Sequence, residues 1–474
     1  MNIGIARRPL GMIVMVVLLI TLVAVLSACD GDTGIVEEGA ITVPEDYSSI
    51  QEAIDAAEDG DVIVVSPGRY NENINFNGKN ITLRSTNPED PEVREQTVID
   101  AGRTGSVVTF ESGESQEAVI SGFTITGGGG TRTSLEFVID GETREEGANY
   151  GGGMIIINGS SPTVEYNIFV KNVAGRGAGI MVHESSPVIT NNKVSDNTST
   201  GGGGGIFVAH SSAVTVSNNE ITENIAERSG GAIAISGSGE EPSNFEGNTI
   251  SDNRAQNGGG FSIFEAEPNL VDNTIIDNTA YQAGGGIFIF QASPFVSGND
   301  LNDNNAESRG GAAAVFNESS PVFEDNMIVG NSAGDAGGGV MIFLNSEPRF
   351  ENNVISDNNA PNGGGLVIIE QAAPAVIGNE ITGNNSERNG AGIYIQAASA
   401  LLEENNISNN DARRDGGAIY ATFEAVVTLN NNIFEGNRAS SGGAIYLLED
   451  AVLELSDPDD NTYQDNAPDD IFEE

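Results

Sequence analysis

The sequence predicts an all-β chain, one strand-turn coil wound into a parallel β-helix with three short strands per rung and a capping helix at its N-terminal end. Three observations lead there. From Gly151 the chain repeats a unit of G-G-G/A, apolar-x-apolar, a Ser/Pro turn, x-apolar and N-x-apolar-x-x-N, often followed by x-Ala. The N-x-apolar-x-x-N element occurs twelve times, from Asn167 to Asn461, a mean spacing of 294/11, about 27 residues. Each unit holds three apolar stretches broken by Gly, Ser, Pro, Asn and Asp, none long enough for an ordinary helix. A fixed period in the twenties is the mark of a solenoid, and the leucines that a leucine-rich repeat needs at fixed places are missing.

In chain order, the first element is an export signal. Arg7 and Arg8 precede an apolar run from Gly11 to Ala28, and Leu26-Ser27-Ala28-Cys29 is followed by polar Asp30-Gly31-Asp32. Charge, apolar core and small residues in that order make a secretory signal. At 18 residues the run also reaches the lower limit of a membrane span, so an uncleaved anchor is the alternative. Cys29 is the single cysteine of 474 residues and has no intramolecular partner for a disulfide. Leu26-Ser27-Ala28-Cys29 resembles the lipobox of bacterial lipoproteins. That resemblance implies a signal peptide over 1–29, lipid on Cys29, and a chain anchored at the cell surface or the periplasmic face.

Residues 30–40 form an acidic tether, and 41–149 form the cap and first rungs. Ser49-Ile50-Gln51-Glu52 is a capping box. Ile50, Ala53, Ile54 and Ala57 fall on one helical face, and Gly60 is placed as the C-cap. A one-faced helix at the start of a solenoid covers an open end that would otherwise expose strand edges. Strands follow at Asp61–Val65, Ile81–Leu83, Val107–Phe110 and Val119–Ile125, with a polar insertion at 131–149 leaving one rung as a loop or short hairpin.

The repeat β-helix then occupies 150–474. Its central apolar residues run from Phe169 and Val194 through Ile328 and Ile355 to Phe434 and Tyr463. The asparagines sit at bends, where Asn tolerates left-handed dihedrals, and stacked rung on rung their amides can form ladders. Twelve rungs at about 4.8 Å span roughly 58 Å. Ile50-Gln51-x-x-Ile54 through Gly68-Arg69-Tyr70-Asn71-Glu72 resembles the opening of pectin-lyase-like β-helices. Phe434-Glu435-Gly436-Asn437 with Gly442-Gly443-Ala444-Ile445 is similar to the F-x-x-N and G-G-A-I pair of chlamydial polymorphic outer-membrane proteins. Together the resemblances cover most of residues 41–466 and imply a right-handed parallel β-helix. They say little about function, because the fold hosts lyases, hydrolases, esterases and adhesins alike.

The formal net charge of −49 excludes nucleic acid as a partner and disfavours anionic polysaccharide. Lysine is confined to Lys79, Lys171 and Lys193. Such acidity fits a salt-adapted source, simple solubility or calcium binding; no loop has the complete spacing of calcium ligands. Motifs expected of a methylesterase or polygalacturonase are missing, and no metal site is assigned. His183 and His210 fall on successive rungs, one position out of register, with Glu184 beside them. Arginines such as Arg176, Arg228, Arg309, Arg388 and Arg414 lie in turns, several next to acids, and read as surface ion pairs.

One surface stands out. In the strand after each Gly-Gly-Gly/Ala, the first and third residues face the core, so the second and fourth face out. Fourth positions give Phe264, Phe290, Phe316, Phe343 and Ile369 on five consecutive rungs; second positions include Phe207, Phe288, Met341, Tyr394, Tyr420 and Tyr446. The register makes Ala314 an outward, exposed residue and Phe264, Phe290, Phe316 and Phe343 a flat strip near 15 Å long. Exposed apolar patches of this size mark binding surfaces. The expected function is therefore non-catalytic: a lipid-anchored, adhesin-like scaffold that binds glycan or protein through Phe264, Phe288, Phe290, Phe316, Phe343, Tyr394 and Tyr420. The alternative is a carbohydrate-active enzyme of the pectin-lyase superfamily, which would gather two or three acids in one groove.

Overall fold

The computed structural model describes residues 39–474 except 140, 141, 211, 238, 240, 449, 456–459 and 474, all within one compact unit. The expected signal peptide over 1–29, Cys29 and nearly all of the expected tether lie outside the described residues. Among the described residues, no helix is long and apolar enough to cross a membrane.

Each repeat contributes one strand to each of four parallel sheets. In a representative rung, Thr163–Glu165 belongs to sheet I, Ile168–Val170 to sheet II, Val173–Ala174 to sheet III and Ile180–His183 to sheet IV. Sheet I has 16 strands, sheets II and IV have 15 each, and sheet III has 10. Three of these are the strands anticipated per rung. Sheet III is an addition: its strands are mostly two residues long and built on the x-Ala step, with Ala280, Ala306 and Ala360 fully buried. The coil is right-handed, as parallel crossovers are, and one apolar core runs through it from Val43 to Leu447.

The corners explain the Asn spacing. At both ends of sheet II one residue takes a left-handed conformation and the next is a buried Asn. In the rung of Ile275 the left-handed residues are Asp272 (φ 52°) and Asp277 (φ 56°), preceding Asn273 and Asn278. The expectation had put the left-handed dihedral on the ladder Asn. The structure moves it one residue earlier, onto Tyr166 and Lys171 in the first such rung and onto Asp, Asn, Glu or Gly in those that follow, and frees the Asn side chain to point inward. There it bonds along the solenoid. Asn326 Nδ2 donates to Asn353 Oδ1 (2.9 Å) and to Val296 O (2.9 Å), while Asn326 Oδ1 accepts from the backbone N and Nδ2 of Asn299 (2.9 and 3.0 Å). The same pattern links Asn167 to Asn461 along one corner and Asn172 to Asn466 along the other. Buried amides are costly unless paired; here each pairs with both neighbouring rungs.

The corner between sheets III and IV requires glycine. Gly284 has φ +68°, and a Cβ there would meet Ile287 O at 2.4 Å. On the next residue, Gly285, a Cβ would meet the backbone oxygen of Gly311 on the following rung at 2.3 Å.

At the N-terminal end, helix α1 (Ile50–Ala56) buries Ile50, Ala53 and Ile54 over the core. Ser49 accepts from Glu52 N, but Glu52 takes the Ser48 hydroxyl (2.7 Å) rather than closing the capping box. Glu72 closes the helix start instead, accepting from Ile50 N and Gln51 N at 2.9 and 3.0 Å. Lys79 Nζ closes its other end, donating to the carbonyls of Ile54, Asp55 and Ala57 at 2.7 to 2.8 Å. Gly60 is not the C-cap. The helix stops at Ala56 with Ala57 extended, because the chain must already turn toward the strand Val62–Val65. Helix α2 (Pro91–Gln96), which the sequence reading did not anticipate, starts from the Asp90 cap with Pro91 in its first turn and buries none of its side chains.

The insertion is an antiparallel hairpin, Thr131–Ile139 paired with Glu142–Tyr150. It lies against the outer face of sheet IV, where Leu135, Phe137 and Tyr150 pack on Ile155, Ile157, Met181, Phe207, Ala209 and Ala234.

Candidate functional site

The alternation predicted for sheet IV holds, so its second and fourth residues leave the main core. Ile287 and Ile289 are fully buried inside; Phe288 and Phe290 lie outside. Outside is not exposed, however. Phe288 keeps 5% of its surface, Met341 1% and Ala314 none. They form a second apolar layer with Ala283 and Val367, on which Phe264, Phe290, Phe316, Phe343, Ile369 and Tyr394 rest half-buried. The predicted exposure of Ala314 is therefore wrong. The large fourth-position rings lean over the small second-position side chains, and the turn before each strand rises beside them.

The same leaning breaks the flat strip. Phe264 and Phe290 have ring centroids 5.9 Å apart at 47°, and Phe316 and Phe343 5.3 Å apart at 59°. Between these pairs Phe288 is wedged edge-on against Phe316, 5.5 Å away at 83°. Tilted and edge-to-face contacts are the favoured geometry of aromatic pairs. Flat stacking occurs further along: Tyr394, Tyr420, Tyr446 and Phe472 stack at 5.1 to 5.4 Å with interplanar angles of 10 to 14°. Tyr394 donates to Gln396 Oε1 (2.8 Å), and burial pushes its hydroxyl pKa up to about 12, with Tyr420 adding to the effect. Of the proposed ligand residues, the five phenylalanines form one cluster that Tyr394 joins at its edge, and Tyr394 and Tyr420 begin the flat stack.

Two hollows lie between this layer and the ladder of turn residues beside sheet IV. The first, about 330 Å³, is bounded by Phe207, Phe264, Phe290, Arg176, Arg228 and Glu265. The second, about 290 Å³, is bounded by Arg309, Arg388, Asp335, Met341, Ile369 and Tyr394. The arginines were missed as site residues because sequence neighbours suggested ion pairs such as Glu227–Arg228 and Glu387–Arg388. Among the described residues neither pair forms; Arg176 instead meets Glu146 of the hairpin. Arg176 also lies over the rings of Phe137 (4.6 Å) and Phe207 (5.3 Å), and Arg309 over Phe343 (5.9 Å). The signal available in sequence was the position of these arginines just before each Gly-Gly step, on one edge of sheet IV.

The histidines fall on adjacent rungs as their spacing implied, but the expected pair of surface side chains is not what forms, because the hairpin covers His183. His183 and His210 stack at 5.7 Å, with Glu184 3.5 Å from His210 Nε2 and 4.0 Å from His183 Nδ1. His183 is buried under the hairpin, with Nε2 2.7 Å from Glu136 O. Burial lowers its pKa, partly offset by that carbonyl and by Glu184. Among the described residues, no three His, Cys, Asp or Glu side chains are grouped to hold a metal ion. Among the described residues the acids of the insertion do not converge on a site: Glu136, Glu142 and Glu145 are exposed, and Glu146 is taken up by Arg176, while Asp140 lies outside the described residues.

No curated protein matches the sequence. Residues 433–447 match the Chlamydia polymorphic membrane protein repeat, the segment that carries Phe434-Glu435-Gly436-Asn437 and Gly442-Gly443-Ala444-Ile445. The family described as a right handed beta helix region matches residues 71–244 and 231–396, more than half of the chain. With four parallel sheets, two asparagine ladders and one continuous core, the chain belongs to that right-handed β-helix family.

Proposed function

We propose that this protein is exported, held at the cell surface by lipid on Cys29, and acts as a non-catalytic scaffold that binds a glycan or protein partner through the outer face of sheet IV. The observation that carries this reading is the second apolar layer, half-open along Phe264, Phe290, Phe316 and Phe343 in a chain of net charge −49. An aromatic layer left half-covered amid acidic surface is a patch suited to sugar faces or to a partner's apolar side chains. The polymorphic membrane repeat at 433–447 supports presentation at a surface. The two hollows beside the aromatic layer support binding, since each carries one carboxylate, Glu265 and Asp335; an adjoining hollow lined by Glu265, Glu267 and Glu318 has no aromatic wall. General acid–base cleavage of a glycosidic bond ordinarily uses two.

The test is binding of the exported chain to a glycan array and to intact cells, with Phe290 and Phe316 both changed to Ser. The rings are partly open, so the double variant should keep a cooperative melt while binding falls at least tenfold. Unchanged binding by a folded double variant would remove the proposal.

A further inference from the structure

The outer layer of sheet IV has a gap. The hairpin covers the rungs as far as Ala234, and the phenylalanine layer begins at Phe264. In register, the second positions read Phe207, Ala234, Ser262, Phe288, and the fourth positions Ala209, Ser236, Phe264, Phe290. Small side chains on two adjacent rungs, between aromatic neighbours, leave the hollow of about 330 Å³. That volume lies at the lower end for small-molecule sites.

Its walls differ in chemistry. Phe207, Phe264 and Phe290 supply ring faces and edges. Arg176 is occupied by Glu146 and by the Phe137 and Phe207 rings. Arg228 also borders the hollow, and among the described residues no carboxylate lies within 4.0 Å of its guanidinium. Glu265 and Gln291 also border it.

We propose that this hollow is a small-molecule site for a planar aromatic ring bearing one anionic group, such as an aryl carboxylate, sulfate or sulfonate. This deepens, and rests on, the reading of the outer face of sheet IV as a ligand surface. The ring lies among Phe207, Phe264 and Phe290 in the tilted contacts aromatic rings prefer. The anion pairs with Arg228, whose planar fork suits carboxylate and sulfonate oxygens. Glu265 disfavours a second negative charge, which separates this site from one for a polyanion.

The test is fluorescence titration with 8-anilinonaphthalene-1-sulfonate, compared with the uncharged N-phenyl-1-naphthylamine. The sulfonate should titrate one saturable site, and the neutral probe should bind more weakly. Arg228→Gln should weaken the sulfonate about tenfold, the size of one lost charged hydrogen-bond pair, and leave the neutral probe unchanged. Ser236→Phe extends the row of Phe264 and Phe290 by one rung, so it should fold, fill the hollow and abolish binding of both probes. Equal affinity for the two probes, or sulfonate binding indifferent to Arg228→Gln and Ser236→Phe in variants with wild-type melting, overturns the proposal. Phe316 lies outside the hollow. If Phe316→Ser leaves partner binding intact while Arg228 and Ser236 behave as expected, the broader reading fails and this site stands.

Discussion

Replacing Asn326 by Ala tests the asparagine ladder where it is best defined. The amide makes four hydrogen bonds, to Val296 O, to Asn353 Oδ1, and from the backbone N and Nδ2 of Asn299. Asn299 Nδ2 keeps its bonds to Leu270 O and Ser297 O. The Asn299 backbone N–H, however, loses its acceptor inside the coil. A net of about 1 kcal/mol for each of the three other bonds, with about 1–3 kcal/mol for the orphaned donor, gives a cost of about 4–6 kcal/mol. The control is Asn352→Ala, an exposed residue at φ 55°, where the cost is the left-handed strain of about 1–2 kcal/mol. Guanidinium unfolding followed by circular dichroism measures both. Each rung contacts only its neighbours, so the loss falls on the interfaces flanking Asn326. If Asn326→Ala shifts the midpoint no more than Asn352→Ala, the ladder is a by-product of the turn and not a source of stability.

Four further outcomes follow from the same structure. Ala314→Asp should cost several kcal/mol by burying an unpaired charge in the outer layer, as Ile328→Asp should in the main core, while Thr249→Asp at an exposed position of sheet II should stay within about 0.5 kcal/mol in thermal melts. Lys79→Met should remove three bonds to the end of α1 and cost about 2 kcal/mol, read as faster proteolysis within residues 50–60; unchanged cleavage would deny Lys79 that role. Burial lowers the pKa of His183 below its ordinary value, so the open or unfolded state takes up the proton first. Hairpin docking is then fully stable above the ordinary histidine range and weakens as pH falls through it. Protection factors of amides in 131–150, with exchange corrected for its intrinsic pH dependence, should fall between pH 7.5 and 5.5 in the wild type but not in His183→Gln, with Glu136, Glu184 and His210 as the other titratable groups beside the ring; a fall of equal size in both would place the effect elsewhere. Cys29→Ser should release the protein from membranes, whereas retention after washing would favour an uncleaved anchor.

The coil was legible because its signals repeat. Twelve copies of N-x-apolar-x-x-N fix sheet II, and the alternation Ile287-Phe288-Ile289-Phe290 fixes which side chains enter the core. Sheet III was not counted because Asn305–Ala306 or Asp411–Ala412 is too short to show a period of two. Ala314 was misplaced because alternation tells core side from outer side, not whether the outer side meets water; that depends on Phe290 and Phe316 closing over the smaller row. The hairpin's reach over sheet IV was hidden for a similar reason. Leu135-x-Phe137 alternates as a strand should, yet nothing local says that it docks on Met181 and Phe207. The hollow beside Arg228 follows only once register puts Ala234 and Ser262 on adjacent rungs between Phe207 and Phe288.

The proposed binding surface is tested by hydroxyl-radical footprinting of the protein, free and saturated with the strongest binder found on the array. Phe264, Phe290, Phe316 and Phe343 are half-open along sheet IV, whereas Phe295 and Phe423 are exposed elsewhere on the coil, at 37% and 52%. Oxidation of the four sheet IV phenylalanines should fall on binding while Phe295 and Phe423 are oxidised as before. Protection of Phe295 or Phe423 with no change along sheet IV would contradict it.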